Sequence, residues 1–267
     1  MRIRSLFQGA LFCALSVLLT QNARAVSIAI ASDSMAAAEP ATSLLCGWGQ
    51  MLPGDFLANI SIQDDAMCGS STGSFLNGSA VVDGIPGVHH WQNLLNSHPD
   101  YVLISFGWND CGATDDRHCT LGQYSANLET MIEQARAIGI KPLLVTPPSN
   151  RGFSADGTLG NGIRLYADAM LAVATAENVP CFDLNQSLAS VYQSLGPVDS
   201  QAFGYANTDL LHFGEYGASV VASMVADDLA QNYPELGPYT VPEPSALVLL
   251  AAGFIGMCAC AWRRRKA

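Results

Sequence analysis

Five short apolar runs rich in β-branched residues punctuate the chain: Val26–Ala31 (VSIAIA), Ile60–Ile62, Tyr101–Phe106 (YVLISF), Ile140–Thr146 (IKPLLVT) and Pro180–Leu184. Runs of this kind lack the apolar–polar alternation of a half-solvated strand and predict strands mostly covered on both faces. Between them, apolar positions recur at helical spacing over Leu44–Leu57, Val88–Ser97, Leu121–Ile138, Arg164–Glu177 and Glu215–Gln231. Strand and helix alternate five times. The expected fold is therefore α/β: a five-stranded parallel sheet, doubly wound in the flavodoxin-like manner, as a three-layer α/β/α sandwich. Functional groups in such sheets gather at the carboxyl ends of the strands. One loop, Pro147–Gly160 (PPSNRGFSADGTLG), is long and has no apolar period, the mark of a functional or mobile segment.

The two ends of the 267-residue chain follow other rules. Residues 1–25 open with Arg2 and Arg4, continue through the apolar run Ala10–Leu19 and close on Ala23-Arg24-Ala25, the pattern of a cleaved export signal. Ser245–Trp262 holds eighteen uncharged residues. As a helix it would reach ~27 Å, close to the ~30 Å of a bilayer core. Arg263-Arg264-Arg265-Lys266 follows at once and orients such a span with its end in the cytoplasm. Val241-Pro242-Glu243-Pro244, the apolar run and the basic end together resemble the PEP-CTERM sorting tail of Gram-negative bacteria. That resemblance implies an inner-membrane-anchored precursor, processing by an exosortase-type protease, and a mature body at the cell surface or in the extracellular matrix. The expected organisation is a signal peptide over 1–25, one folded domain over 26–240 and a sorting and anchor segment over 241–267.

Charge sharpens the picture of the body. The ends take seven of the twelve Lys and Arg, leaving residues 26–240 with five cations against 22 of the 23 acids, a net of −17. Such a surface repels phosphate backbones and excludes nucleic acid as a partner. Five cysteines remain in the exported body (Cys46, Cys68, Cys111, Cys119, Cys181), where oxidation is permitted. Cys111 and Cys119 flank the loop GATDDRH and are expected to close it as a disulfide, since Cys111, His118 and Cys119 supply too few ligands for a metal. An odd count leaves at least one thiol outside any internal pair.

Candidate chemistry sits at the predicted strand ends. Ser32-Asp33-Ser34-Met35 follows the first strand, and Asp209-Leu210-Leu211-His212 precedes the last helix. A serine nucleophile needs a base, and an imidazole needs a carboxylate to hold its tautomer. Cys68-Gly69-Ser70-Ser71 and Gly107-Trp108-Asn109-Asp110 add donors of the kind an acyl-transfer oxyanion requires: an unobstructed backbone N–H at Gly69 and the non-titrating Asn109 amide. A competing pattern, Gly69-Ser70-Ser71-Thr72-Gly73, matches the Gly-x-Ser-x-Gly nucleophile elbow, which would make Ser71 the nucleophile. That elbow demands a helix immediately afterwards, and the segment after it shows a Gly-Ser turn without an apolar period.

Asp33-Ser34, Gly69, Gly107-x-Asn109-Asp110 and Asp209-x-x-His212, in that order, resemble the SGNH/GDSL hydrolases. Gly47-Trp48-Gly49-Gln50, Ala66-x-x-Gly69-x-Ser71-x-x-Ser74-Phe75, Lys141-Pro142-x-Leu144-Val145-Thr146-Pro147 and His212-Phe213-x-Glu215-Tyr216-Gly217-Ala218 are similar to the rhamnogalacturonan acetylesterase branch. The resemblance implies the SGNH hydrolase fold, Ser34 as nucleophile, His212 as base and then acid, and Asp209 as its orienting carboxylate. It places the oxyanion on the N–H groups of Ser34 and Gly69 and on the Asn109 amide, and it calls for no metal or organic cofactor. The implied partner is an acylated polysaccharide or oligosaccharide, with acetyl on a sugar hydroxyl as the group removed. Two departures mark this chain: Ser32 replaces the usual Gly before Asp-Ser, and Ser70 and Gly73 stand where the branch commonly carries Arg.

The same motifs admit a lipid or aryl esterase, or a surface protein that binds glycan without turnover. Trp108, between Gly107 and Asn109, is a candidate to line the substrate pocket, whereas Trp48 is expected in the core and Asp110 in the turn that aims Asn109. His89-His90 and Asp115-Asp116 are read as solvated positions.

Overall fold

The computed structural model describes residues 25–56, 59–78, 89–237 and 240. The expected transmembrane span at 245–262, and the signal peptide at 1–25 but for its last residue, lie outside them. Among the described residues, no helix is long and apolar enough to cross a membrane.

Five parallel strands form one sheet: β1 (Val26–Ser32), β2 (Ile60–Asp64), β3 (Tyr101–Ser105), β4 (Lys141–Val145) and β5 (Cys181–Phe182). Their spatial order is β2-β1-β3-β4-β5, so the chain winds outward from β1 in both directions. The pleat of the central strands feeds two cores. Ile28 and Ile30 of β1, Leu103 of β3 and Val145 of β4 face one layer, built on Trp48, Leu188 and the stripe Val221, Val225, Leu229. Ala29, Ala31, Val102, Ile104 and Leu144 face the other, built on Trp91, Tyr124, Leu128, Met131, Tyr166 and Met170. The three-layer α/β/α architecture follows from strands that are apolar on both sides.

The helices are α1 (Trp48–Met51), α2 (Thr72–Asn77), α3 (His90–Asn96), α4 (Trp108–Gly112), α5 (Leu121–Ala137), α6 (Arg164–Glu177), α7 (Leu184–Asp199) and α8 (Glu215–Asn232). The helix expected over Leu44–Leu57 is cut short for a tertiary reason. The Cys46 N–H is taken by the Phe213 carbonyl and the Trp48 N–H by Met35, and Pro53 then opens a 3-10 turn over Leu52–Asp55. Three helices absent from the sequence reading appear: α2, α7 and the short α4, which replaces the turn expected around Asn109. In α7, Leu184, Leu188 and Tyr192 are buried at four-residue steps behind an Asp183 cap. α2 starts at Thr72, capped reciprocally by Ser71 and Ser74.

The disulfide expected between Cys111 and Cys119 is not formed: both are free thiols. Cys111 is carried on α4, whereas the Cys119 Sγ is turned into the contact between α2 and α5, 3.8 Å from Thr72 Oγ1 and 3.7 Å from Asn127 Nδ2. The loop between them is closed instead by the Cys119 N–H on the Asp110 carbonyl and by Arg117 on Asp115.

Candidate active site

Every candidate residue lies at the carboxyl edge of the sheet or on the turn that faces it. β1 delivers Ser34. Ser32, its last residue, donates its hydroxyl to the Ser105 carbonyl of β3 at 2.6 Å, so the side chain in place of glycine bonds the neighbouring strand and leaves the turn intact. The Asp33 carboxylate then accepts the Met35 N–H at 2.9 Å, and the Asp33 carbonyl accepts those of Ala36 and Ala37. This tight wrapping buries every residue from Ile28 to Ala37 except one, Ser34.

The opening meets a second turn from the far end of the chain. His212 Nε2 lies 3.1 Å from Ser34 Oγ, across 178 positions of sequence. The other ring nitrogen, Nδ1, is 2.8 Å from Asp209 Oδ2, while Asp209 Oδ1 accepts the N–H groups of Leu211 at 2.7 Å and His212 at 2.8 Å. Burial pushes the Asp209 carboxyl upward, but the His212 ring and the N–H groups of His212 and Leu211 together outweigh it and hold it below the ordinary carboxylate range. A charged acceptor thus keeps a proton on Nδ1 and leaves the Nε2 lone pair facing the serine.

The two other loops are tied to this pair. Met67 N–H bonds the Ser32 carbonyl at 2.9 Å, which seats residues 66–70 against the end of β1. Gly69 there has φ 78°, a left-handed conformation in which any Cβ is strained. Asn109, on α4, donates Nδ2 to the Ser70 carbonyl at 3.0 Å, and among the described residues no acceptor takes its second amide hydrogen. Asp110 is buried and accepts from the Thr72 N–H and hydroxyl, so it fastens α2 to α4. Burial, with the charge of Asp110 adding to it and the Met35 N–H opposing, raises Asp33 to about 7, and burial likewise raises Asp110 to about 6. Trp108 is half-buried, its indole N–H held by the Pro148 carbonyl at 3.0 Å.

The competing nucleophile is accounted for differently from the expectation. A helix does follow Ser71, but Ser71 is fully buried and its hydroxyl is engaged with the Ser74 N–H and hydroxyl as the cap of that helix. His89 is exposed, and His90 stacks on Phe75 with ring centroids 5.8 Å apart. Asp115 is exposed and pairs with Arg117, while Trp48 is buried in the core. Among the described residues, no group of three or more His, Cys, Asp or Glu side chains is arranged to hold a metal. One residue that no local pattern announces is Arg117: held in its fork by Asp115, it brings Nη1 to 3.5 Å from the Gly69 carbonyl, returning a cation to a rim where Ser70 and Gly73 supply none.

The sequence matches the profile described as the GDSL-like lipase/acylhydrolase family over residues 33–220, and that of the PEP-CTERM protein-sorting motif over residues 240–266. It is 28% identical to rhamnogalacturonan acetylesterase RhgT of Bacillus subtilis (strain 168) over 223 residues, 77% of this chain and 90% of the relative. Among solved structures, Bacillus subtilis protein YXIM superposes with a TM-score of 0.66 at 24% identity, over 78% of this chain and 56% of that longer one. Axe2, an acetylxylan esterase from Geobacillus stearothermophilus, superposes with a TM-score of 0.57 at 15% identity, over 77% of this chain and 93% of that one. These two likenesses show the shared fold.

Proposed function

The chain belongs to the GDSL-like lipase/acylhydrolase family, and from that premise we propose that it is an exported serine esterase removing acyl groups, acetyl foremost, from a carbohydrate. Ser34 Oγ attacks the ester carbonyl as His212 Nε2 takes its proton, and Asp209 stabilises the imidazolium that forms. The tetrahedral oxyanion is received by the N–H groups of Ser34 and Gly69 and by the second hydrogen of the Asn109 amide. Collapse expels the sugar hydroxyl with the proton returned by His212. Water, activated by the same imidazole, then cleaves the acyl-serine and releases the acid. Every step draws on groups of the chain itself.

The observation that carries this reading is the relay of 3.1 Å and 2.8 Å that ends on the one open residue of the β1 turn. The carbohydrate substrate is supported by the names of the relatives, an acetylesterase of rhamnogalacturonan and one of acetylxylan. The sorting motif supports export, a leader over 1–25 and removal of the 241–267 tail by an exosortase-type protease, and the family match supports a catalytic body over 26–240. The test is covalent labelling of the purified protein by a fluorophosphonate, with the modified peptide mapped by mass spectrometry. It is paired with acetate release from acetylated pectins, xylans and bacterial exopolysaccharides. Labelling at Ser34, and acetate release abolished by Ser34→Ala, are expected. A folded protein that is not modified at Ser34, or whose Ser34→Ala variant still releases acetate, would overturn the proposal and favour a glycan-binding role.

A further inference from the structure

The loop between β4 and α6 is organised around one side chain. Arg151 is 1% exposed, and among the described residues no carboxylate lies within ion-pair distance of it. A cation stripped of water and given no counter-charge is costly unless well-aimed dipoles replace its hydration. Here they come from a single turn. Nη2 donates to the carbonyls of Asp209 and His212, both at 2.8 Å; Nη1 donates to that of Leu211 at 3.3 Å; and the Arg151 backbone N–H donates to that of Leu210 at 2.8 Å. Four successive carbonyls thus converge on one residue, while its Nε–H has no partner among the described residues. The space for the fork depends on Gly204, where a Cβ would stand 2.5 Å from Nη2. The loop is itself anchored, by Asn185 Nδ2 on the Pro147 carbonyl and by the Trp108 indole on that of Pro148, each at 3.0 Å.

We infer that Arg151 is the positioning residue of the Asp209–His212 turn, an assignment that rests on the proposed roles of Ser34, His212 and Asp209. Four carbonyl dipoles aimed the same way repel one another. The guanidinium converts that repulsion into attraction for three of them, those of Asp209, Leu211 and His212, while the backbone N–H holds that of Leu210 and Asp209 Oδ1 draws in the N–H groups opposite. Without the fork, the carbonyls spread toward water and the imidazole loses its fixed place beside Ser34 Oγ. A displacement of about 1 Å at such a pair costs on the order of 100-fold in rate.

The test compares the full chain with Arg151→Ala and Arg151→Lys, reading kcat and KM on p-nitrophenyl acetate, thermal melting, and the far-downfield proton resonance of the His212 Nδ1–H. For the Ala variant we expect kcat about 100-fold lower with KM within about twofold, and recovery of about tenfold in millimolar guanidinium. The Lys variant keeps the charge but cannot span the same carbonyls in a planar fork, so it falls about tenfold and is not rescued. In both, the downfield resonance broadens or disappears. A folded variant with kcat within about threefold of the parent, or with that resonance intact, would overturn the inference. If the Ala variant does not fold, the Lys variant carries the comparison alone. Failure of the underlying reading is separable: it shows first as hydrolysis by the parent that survives Ser34→Ala, whereas failure of the inference leaves hydrolysis Ser34-dependent and Arg151-independent.

Discussion

Replacing Asp209 with Asn separates two tasks performed by one carboxylate. Oδ1 closes the turn by accepting the N–H groups of Leu211 and His212, and an amide oxygen can do the same. Oδ2 accepts from His212 Nδ1, and there the Asn presents an NH2 donor instead. Two donors cannot share one bond, so the ring moves its proton to Nε2, and Ser34 Oγ then meets an N–H where it needs a lone pair. The fold is kept and the base is lost. A wrong tautomer in a comparable triad costs about 10⁴-fold in kcat, which is about 5 kcal/mol of barrier. The side chains of Asp209 and His212 are 21% and 26% exposed. The variant exchanges a charged hydrogen bond for a neutral one in a mostly covered pair, so the stability cost should be about 1–2 kcal/mol. Asp209 stands behind the ring, so KM should not move. The assay is steady-state hydrolysis of p-nitrophenyl acetate alongside thermal melting. A folded Asp209→Asn protein within about tenfold of the parent kcat, with Ser34→Ala inactive in the same assay, would refute the tautomer argument.

Further outcomes follow from the same contacts. Ser71→Ala should lower stability by about 1 kcal/mol through loss of the α2 cap, seen as a lower melting temperature, with hydrolysis retained. Asn109→Ala should lower kcat by about 10²–10³-fold with KM little changed, as expected for a donor that acts on the developing oxyanion. Asp33, raised by burial from 3.8 to about 7, keeps a proton in the folded state that the unfolded chain has already released. Its contribution is fully present below the lower value and is lost as pH rises to about 7. Asp33→Asn should flatten that decline, read as urea midpoints on either side of the window. Because Cys111 and Cys119 are free thiols, dithiothreitol should leave the melting temperature unchanged; a marked drop would show that a bridge does form.

How much was legible in the sequence depended on the range of the signal. The bounds of β1, β3, β4 and α6 match the apolar runs closely, because burial on both faces or along one stripe is written in consecutive residues. α7 carried its own signal, Asp183 three residues before Gln186 and apolar positions at four-residue steps, and could have been found. α2 could not: six residues are too few to display a helical period, and its cap was legible only as a serine motif shared with nucleophile elbows. The Cys111–Cys119 expectation failed because spacing reports how far apart two thiols are along the chain and nothing of where each one points.

By itself the sequence determined the parallel sheet, the order of the chemical blocks along it and the character of the two ends, since periodicity, motif spacing and charge are local properties of a chain. Only the tertiary structure decided that Ser34 is the open residue of its turn and that His212 meets it. It also decided that Ser71 is spent as a cap, and that two solitary arginines, Arg117 and Arg151, reach the rim and the relay. Apart from the local Ser71 cap, these hydrogen bonds join residues tens of positions apart, and their existence depends on distance and direction in space, which no local pattern of side chains encodes.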